Sequence, residues 1–255
     1  MAFFREGKGQ VRSKSLKTIE SQIRSAAIEL KRYPPTVVNW QKRATNIART
    51  VIPILCRDAH EIKLYVEGVL NAPMEIRRLW TIMLPTATAS PQILREFDRQ
   101  LALDDVLRAT VTGETISKVF TETLLNRHPG LCCNGSSDYP DIYDSTSDYS
   151  QLPLFKRRGT TEFGAARKGK KQHPVRVPDG IEIKTCRNNL RVDCHHPHAG
   201  LHVILIYSVS NRCFLVSDIR VGFLTISDYR ESQRNTTSTT VKYSFNGERF
   251  VSVLH

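Results

Sequence analysis

Apolar positions in the first hundred residues recur at three- and four-residue steps, the period of a helix with one buried face. Leu16, Ile19, Ile23, Ala27 and Leu30 form one such stripe, and Pro34-Pro35 ends it. Trp40, Ala44, Ile47, Ala48, Val51 and Leu55 form a second, in which Pro53 is expected to kink or shorten the helix. Met74–Leu84 reads as another helix, and Ser90-Pro91 starts one carrying Ile93, Leu94, Phe97 and Leu101. Residues 114–127 also suit a helix, with Ile116, Val119, Phe120 and Leu124 as its buried stripe.

After His128-Pro129-Gly130 the pattern changes. Ile181–Cys186, Leu201–Val209 and Phe214–Leu224 are compact, β-branched runs, and Ser210-Asn211-Arg212 makes a turn between the last two. Residues 144–178 are rich in Ser, Thr, Gly, Pro and basic side chains and read as a long exposed loop. The expected fold class is therefore α/β (α+β). A helical N-terminal region, residues 1–110, serves as scaffold, dimerisation layer or DNA-contacting surface. An α/β domain over 111–255 follows, built on a central mixed β-sheet with a basic insertion at 145–178.

Composition sharpens this picture through charge. The 255 residues carry 37 Lys and Arg against 25 Asp and Glu, a formal net charge of +12, and the pI is about 9.6. Such a surplus attracts polyanions, nucleic acid foremost. It is concentrated: residues 1–50 hold eleven basic residues and three Glu, while 128–155 hold no Lys or Arg and four Asp, at 138, 141, 144 and 148. An acidic stretch inside a basic chain suits a cation held next to a polyanion. The longest apolar run, Leu201–Tyr207, is too short to span a bilayer, and basic residues interrupt the N-terminus before a signal-peptide core can build, so no membrane partner is expected. The six cysteines read as reduced thiols of a cytoplasmic protein.

Two short motifs carry the candidate chemistry. Asp138-Tyr139-Pro140-Asp141 lies in the acidic stretch, and Gly180-Ile181-Glu182-Ile183-Lys184 opens the first strong strand. Strand side chains alternate, so Glu182 and Lys184 share one face and Ile181 and Ile183 the other. Charge inside an apolar strand is costly unless it is paired or metal-bound. With Asp141 alongside, two carboxylates suit a hard divalent cation, and Lys184 faces a water or a phosphate. A salt-bridged edge strand is the structural alternative.

Pro140-Asp141 and Glu182-Ile183-Lys184 resemble the PD and ExK elements of the PD-(D/E)xK nucleases, most closely those of type II restriction endonucleases. The resemblance covers roughly residues 112–225. It implies that Asp141 and Glu182 are catalytic metal ligands, that Ile183 lends its carbonyl, that Lys184 positions or deprotonates water, and that a preceding-helix Glu assists. Glu122 is the best match for that Glu, with Glu114 behind it. The implied cofactor is Mg²⁺, with Mn²⁺ able to substitute. The implied partners are double-stranded DNA, a second copy of the chain in a homodimer, and a companion DNA methyltransferase in a bacterial or archaeal cytoplasm. Glu182 follows Asp141 by 41 residues, longer than the compact family spacing. Asp138 or Asp144 replaces Asp141 if the strand register differs.

Lys156, Arg157, Arg158, Arg167, Lys168, Lys170 and Lys171 are expected to neutralise phosphates. Arg230, Gln233, Arg234 and Asn235 have the side chains that read guanine and adenine edges. Cys186, Cys194, His195, His196, His198 and His202 are zinc-ligand types, but their spacing matches no familiar finger, so a structural zinc is not expected. P-loop, dinucleotide-binding and nucleophile-elbow motifs are absent. Two other readings stay open: a non-catalytic basic nucleic-acid-binding protein, and a repair or junction-resolving nuclease of the same fold.

Overall fold

The computed structural model describes residues 3–32, 39–71, 109–133, 140–145, 180–190, 192–194, 199–210, 213–231, 239–241 and 249–254. The helices expected at 74–84 and from Ser90, and the expected loop from 146 on, lie outside these residues; Asp144, the first residue expected in that loop, instead ends a strand.

Helix α1 spans Phe3–Glu29 and closes in a 3-10 turn, Leu30–Arg32. Helix α2 spans Trp40–Asn71 and passes unbroken through Pro53, beyond the shortened helix that the sequence suggests. Proline forfeits one backbone hydrogen bond. Here Val51, Ile52, Ile54 and Leu55 are buried around it, and tertiary packing holds the turn in place. Helix α3 spans Ala109–Arg127 and buries Ile116, Phe120 and Leu124, the stripe expected from its periodicity. Asp58, buried on α2, binds Arg57 through both carboxylate oxygens and lies 3.1 Å from Arg127 Nη1 of α3, so charge as well as packing joins the two helices. Among the described residues no helix is long and apolar enough to cross a membrane.

The strands are β1 (Leu131–Cys133), β2 (Ile142–Asp144), β3 (Ile181–Arg187), β4 (Asp193–Cys194), β5 (Gly200–Ser210), β6 (Cys213–Leu224), β7 (Tyr229–Glu231), β8 (Thr239–Val241) and β9 (Val251–Ser252). Six of them form a mixed sheet ordered β1-β2-β3-β5-β6-β9. The β3/β5 pair is parallel and the others antiparallel. A second sheet is ordered β4-β8-β7.

Alternation divides the main sheet into two faces. Ile181, Ile183, Leu201, Val203, Leu205, Ile219, Val221 and Phe223 join one hydrophobic cluster with α1, α2 and α3. Cys186, Ile204, Ile206 and Leu224 join Leu190, Val192, Tyr229 and Phe250 in a second. Strict alternation would point Phe214 and Val216 away from the helices, since Ile219 and Val221 face them. A bulge corrects this: Ile206 pairs with Asp218 but Tyr207 with Val216, so Ser217 is the extra residue. Beyond it Phe214 and Val216 turn to the helical side, where Phe214 packs on Tyr207.

Candidate active site

Strand β3 lies between β2 and β5 in the sheet order; β5 pairs along its whole length, while β2 pairs with it at Ile181, so Glu182 and Lys184 lie just past that pair on the β2 side. Both lie on the face away from the helices, as alternation requires, and Lys184 Nζ binds Glu182 Oε1. Glu182 is buried to 5% exposure, and Lys184 keeps about a quarter of its side chain in water. The buried carboxylate is thus charge-balanced by the lysine two residues on, which offsets part of the cost of burying it.

Asp141 enters from the neighbouring strand. Antiparallel pairing places Ile142 opposite Ile181, which carries Asp141 toward Glu182 and Asp144 away from it. The Asp141 carboxylate reaches across: Ile183 N donates to Asp141 Oδ2 at 2.7 Å. The 41 intervening residues therefore close on the very residue between Glu182 and Lys184. A strand residue points its N–H and C=O to the same neighbour, so the Ile183 carbonyl faces the Asp141 side as well.

Among the described residues no three His, Cys, Asp or Glu side chains group as a metal site. The donor set is two carboxylates and one backbone carbonyl, all hard oxygen, which is the chemistry Mg²⁺ or Mn²⁺ prefers. Mg²⁺ commonly takes only one or two carboxylates and fills its remaining positions with water and phosphate oxygens, so the residues fit such an ion. Asp141 and Glu182, with Ile183 through its carbonyl, would hold it.

Glu122 and Glu114 are not brought to this group. Both are exposed on α3, and α3 meets β3 on the opposite face, where Gly113 lies against Thr185. Asp138, Lys156, Arg157, Arg158, Arg167, Lys168, Lys170, Lys171, Gln233, Arg234 and Asn235 lie outside the described residues, and Arg230 is the middle residue of β7. Of the zinc-type residues, Cys186 is buried in the second hydrophobic cluster and His202 lies in β5, while 195–198 are outside the described residues. Cys56, Cys132, Cys133, Cys186 and Cys213 are free thiols.

The neighbour that sequence reasoning missed is His202. Parallel pairing sets it directly beside Glu182 on the same face. Its Nδ1 lies 2.9 Å from the Gly200 carbonyl, which can only accept, so Nδ1 carries the proton. Nε2 is hydrogen-bonded to the Tyr229 hydroxyl at 3.0 Å. A signal was present: Ile181-Glu182-Ile183 and Leu201-His202-Val203 each place one polar residue at the second position of an apolar strand.

Tyr229 is itself anchored. It follows a 3-10 turn, Ile226–Asp228, in which buried Asp228 accepts from Thr225 N and Oγ1 and lies 3.1 Å from Arg249 Nη2. Burial pushes the Asp228 carboxyl above its ordinary range, with the Thr225 N–H and Arg249 pulling the other way. Glu29 at the end of α1 binds both N and Oγ of Ser227.

The chain matches no known family model, no curated protein and no solved structure.

Proposed function

We propose that this protein is an Mg²⁺-dependent DNA endonuclease of the PD-(D/E)xK type, acting as a homodimer on specific duplex sites in the manner of a type II restriction enzyme. The observation that carries the reading is the Ile183 N–H donated to Asp141 Oδ2, because it brings the PD aspartate onto the ExK strand across 41 residues.

In this reading Asp141 and Glu182 present the carboxylates, and Ile183 presents a carbonyl on the same side. Bound Mg²⁺ would supply charge stabilisation at the phosphate and a water of lowered pKa. Lys184, which balances Glu182 as an ammonium, holds and orients the attacking water from the same face. Glu122 is left out of the catalytic set, since its helix packs on the other side of the sheet. The surplus of twelve positive charges favours a polyanionic substrate.

The Lys184–Glu182 ion pair also favours a second reading, a non-catalytic nucleic-acid binder in which the pair is structural. One experiment separates the two. Plasmid is incubated with Mg²⁺ and the protein or its Asp141→Asn, Glu182→Ala and Lys184→Ala variants. Discrete fragments from the wild type and none from the variants are expected. Intact plasmid combined with salt-sensitive binding would establish the second reading, and cutting confined to branched DNA would make the protein a structure-specific nuclease.

A further inference from the structure

Resting on the nuclease reading, we infer that Tyr229 and His202 are positioning residues for the cation site, acting through the orientation of Glu182. Three observations converge. First, His202 is the lateral neighbour of Glu182: the pair are opposed in the β3/β5 register, and side chains opposed across adjacent strands lie side by side. Second, the ring cannot turn freely, because both nitrogens are engaged. Nδ1 donates to the Gly200 carbonyl and Nε2 is hydrogen-bonded to the Tyr229 hydroxyl. Third, Tyr229 leaves a turn that is pinned from three directions, by Asp228, Arg249 and Glu29. A buried histidine needs partners, but it does not need one delivered by a separate sheet and a turn so heavily anchored.

The consequence is a fixed wall on one side of Glu182. Lys184 balances its charge, and Asp141 approaches from β2. The imidazole closes the β5 side in one orientation. Partners that orient a ligand without touching the metal tune affinity for it, and their loss commonly weakens binding by about tenfold to a hundredfold. The same hydrogen bond ties the small sheet, whose strand β7 contains Arg230, to the strand pair of the main sheet.

The test uses Tyr229→Phe, His202→Asn and the double variant. Phenylalanine keeps the ring in the cluster with Ile204, Ile206 and Phe250, and asparagine keeps a donor for the Gly200 carbonyl, so both delete the same bond. Mn²⁺ binding by calorimetry without DNA, thermal midpoint, and the Mg²⁺ concentration for half-maximal plasmid cutting are measured for each. Each single variant is expected to weaken Mn²⁺ binding about tenfold and to raise the Mg²⁺ midpoint in parallel. The double variant is expected to lose no more than the worse single one, since one bond cannot be broken twice. Mn²⁺ affinity within about twofold of wild type, with only the thermal midpoint lowered, would reduce the pair to core packing and overturn the inference. Should Tyr229→Phe fail to fold, His202→Asn carries the same comparison. A wild type that binds Mn²⁺ and cuts, alongside variants that do so equally, removes only the positioning role. A wild type that neither binds nor cuts removes the nuclease reading and this inference with it.

Discussion

Gly113 of α3 lies so close to Thr185 of β3 that a Cβ added to the glycine would come within 2.6 Å of the threonine Oγ1. The contact lies on the face of β3 that carries Ile181 and Ile183, where α3 also buries Ile116, Phe120 and Leu124, so Glu122 stands apart from Glu182. Alanine at a helix interior is worth about 0.8–1 kcal/mol over glycine where space allows. Gly113→Ala is expected to show none of that gain in the native background and most of it when combined with Thr185→Ala. A double-mutant cycle in urea checks the sign of the coupling.

Gly222 of β6 presents a harder limit. A Cβ there would meet the Arg249 carbonyl oxygen at 2.6 Å and the Phe250 ring at 2.6 and 2.9 Å. Backbone and a buried ring cannot both move aside, so Gly222→Ala is expected to cost about 1–3 kcal/mol, typical of overpacking. Denaturant unfolding would show it, and an unchanged midpoint would disprove the close approach.

Strand β6 is guarded along its outer side by helical side chains. Asn71 accepts from Phe214 N and donates to its carbonyl, Glu67 accepts from Val216 N, and Gln22 accepts from Phe223 N. These bonds satisfy a strand edge where β9 pairs only at Arg220 and Val221. Asn71→Ala is expected to cost about 1–3 kcal/mol by leaving buried backbone groups unmet, and to increase self-association. Light scattering during refolding distinguishes it from Thr45→Ala, which loses only a local helical bond.

Acid should act on Asp58 in a defined direction. Hydrogen bonding from Arg57 and, further, from Arg127 holds its carboxyl below the ordinary carboxylate range despite burial. A lowered native value stabilises above the unfolded value of about 3.9, and the benefit is lost as pH falls through the native one. Asp58→Asn is therefore expected to destabilise at pH 7 by about 1–3 kcal/mol, with the deficit shrinking toward pH 3. Urea midpoints at the two pH values measure it.

Removing Lys184 takes away the cation bound to Glu182 Oε1. Lys184→Met is expected to cost about 2 kcal/mol, below the roughly 3–5 of a fully buried pair because Lys184 keeps part of its surface in water. Millimolar Mn²⁺ is expected to restore part of that loss if Glu182 is a cation ligand. Thermal midpoints with and without Mn²⁺ decide between a purely structural pair and a metal carboxylate.

Much of the architecture was legible because periodicity is a local property. The stripes at Ile19–Leu30, Ala44–Leu55 and Ile116–Leu124 each lie inside a helix of the structure, though α1 and α2 extend well past them, and the three long β-branched runs appear as strands within a few residues of where the pattern places them. The common face of Glu182 and Lys184 was equally legible, since alternation needs no distant partner. Pro53 misleads because its local penalty is visible in the chain while the packing that offsets it is not. The Ser217 bulge likewise has no local mark, and it changes which β6 residues face the helices.

The sequence by itself determined the three buried helical stripes, the three long strands, the basic charge and the shared face of the Glu182-Ile183-Lys184 motif, all of which follow from side chains a few positions apart. Only the tertiary structure decided that Asp141 closes on Ile183, that His202 stands beside Glu182, and that α3 covers the other face with Glu122 turned outward. Those outcomes depend on which strands pair and in what register. Register is chosen by burying whole faces and satisfying backbone hydrogen bonds between segments 20 to 40 residues apart, a balance that no short stretch of chain contains.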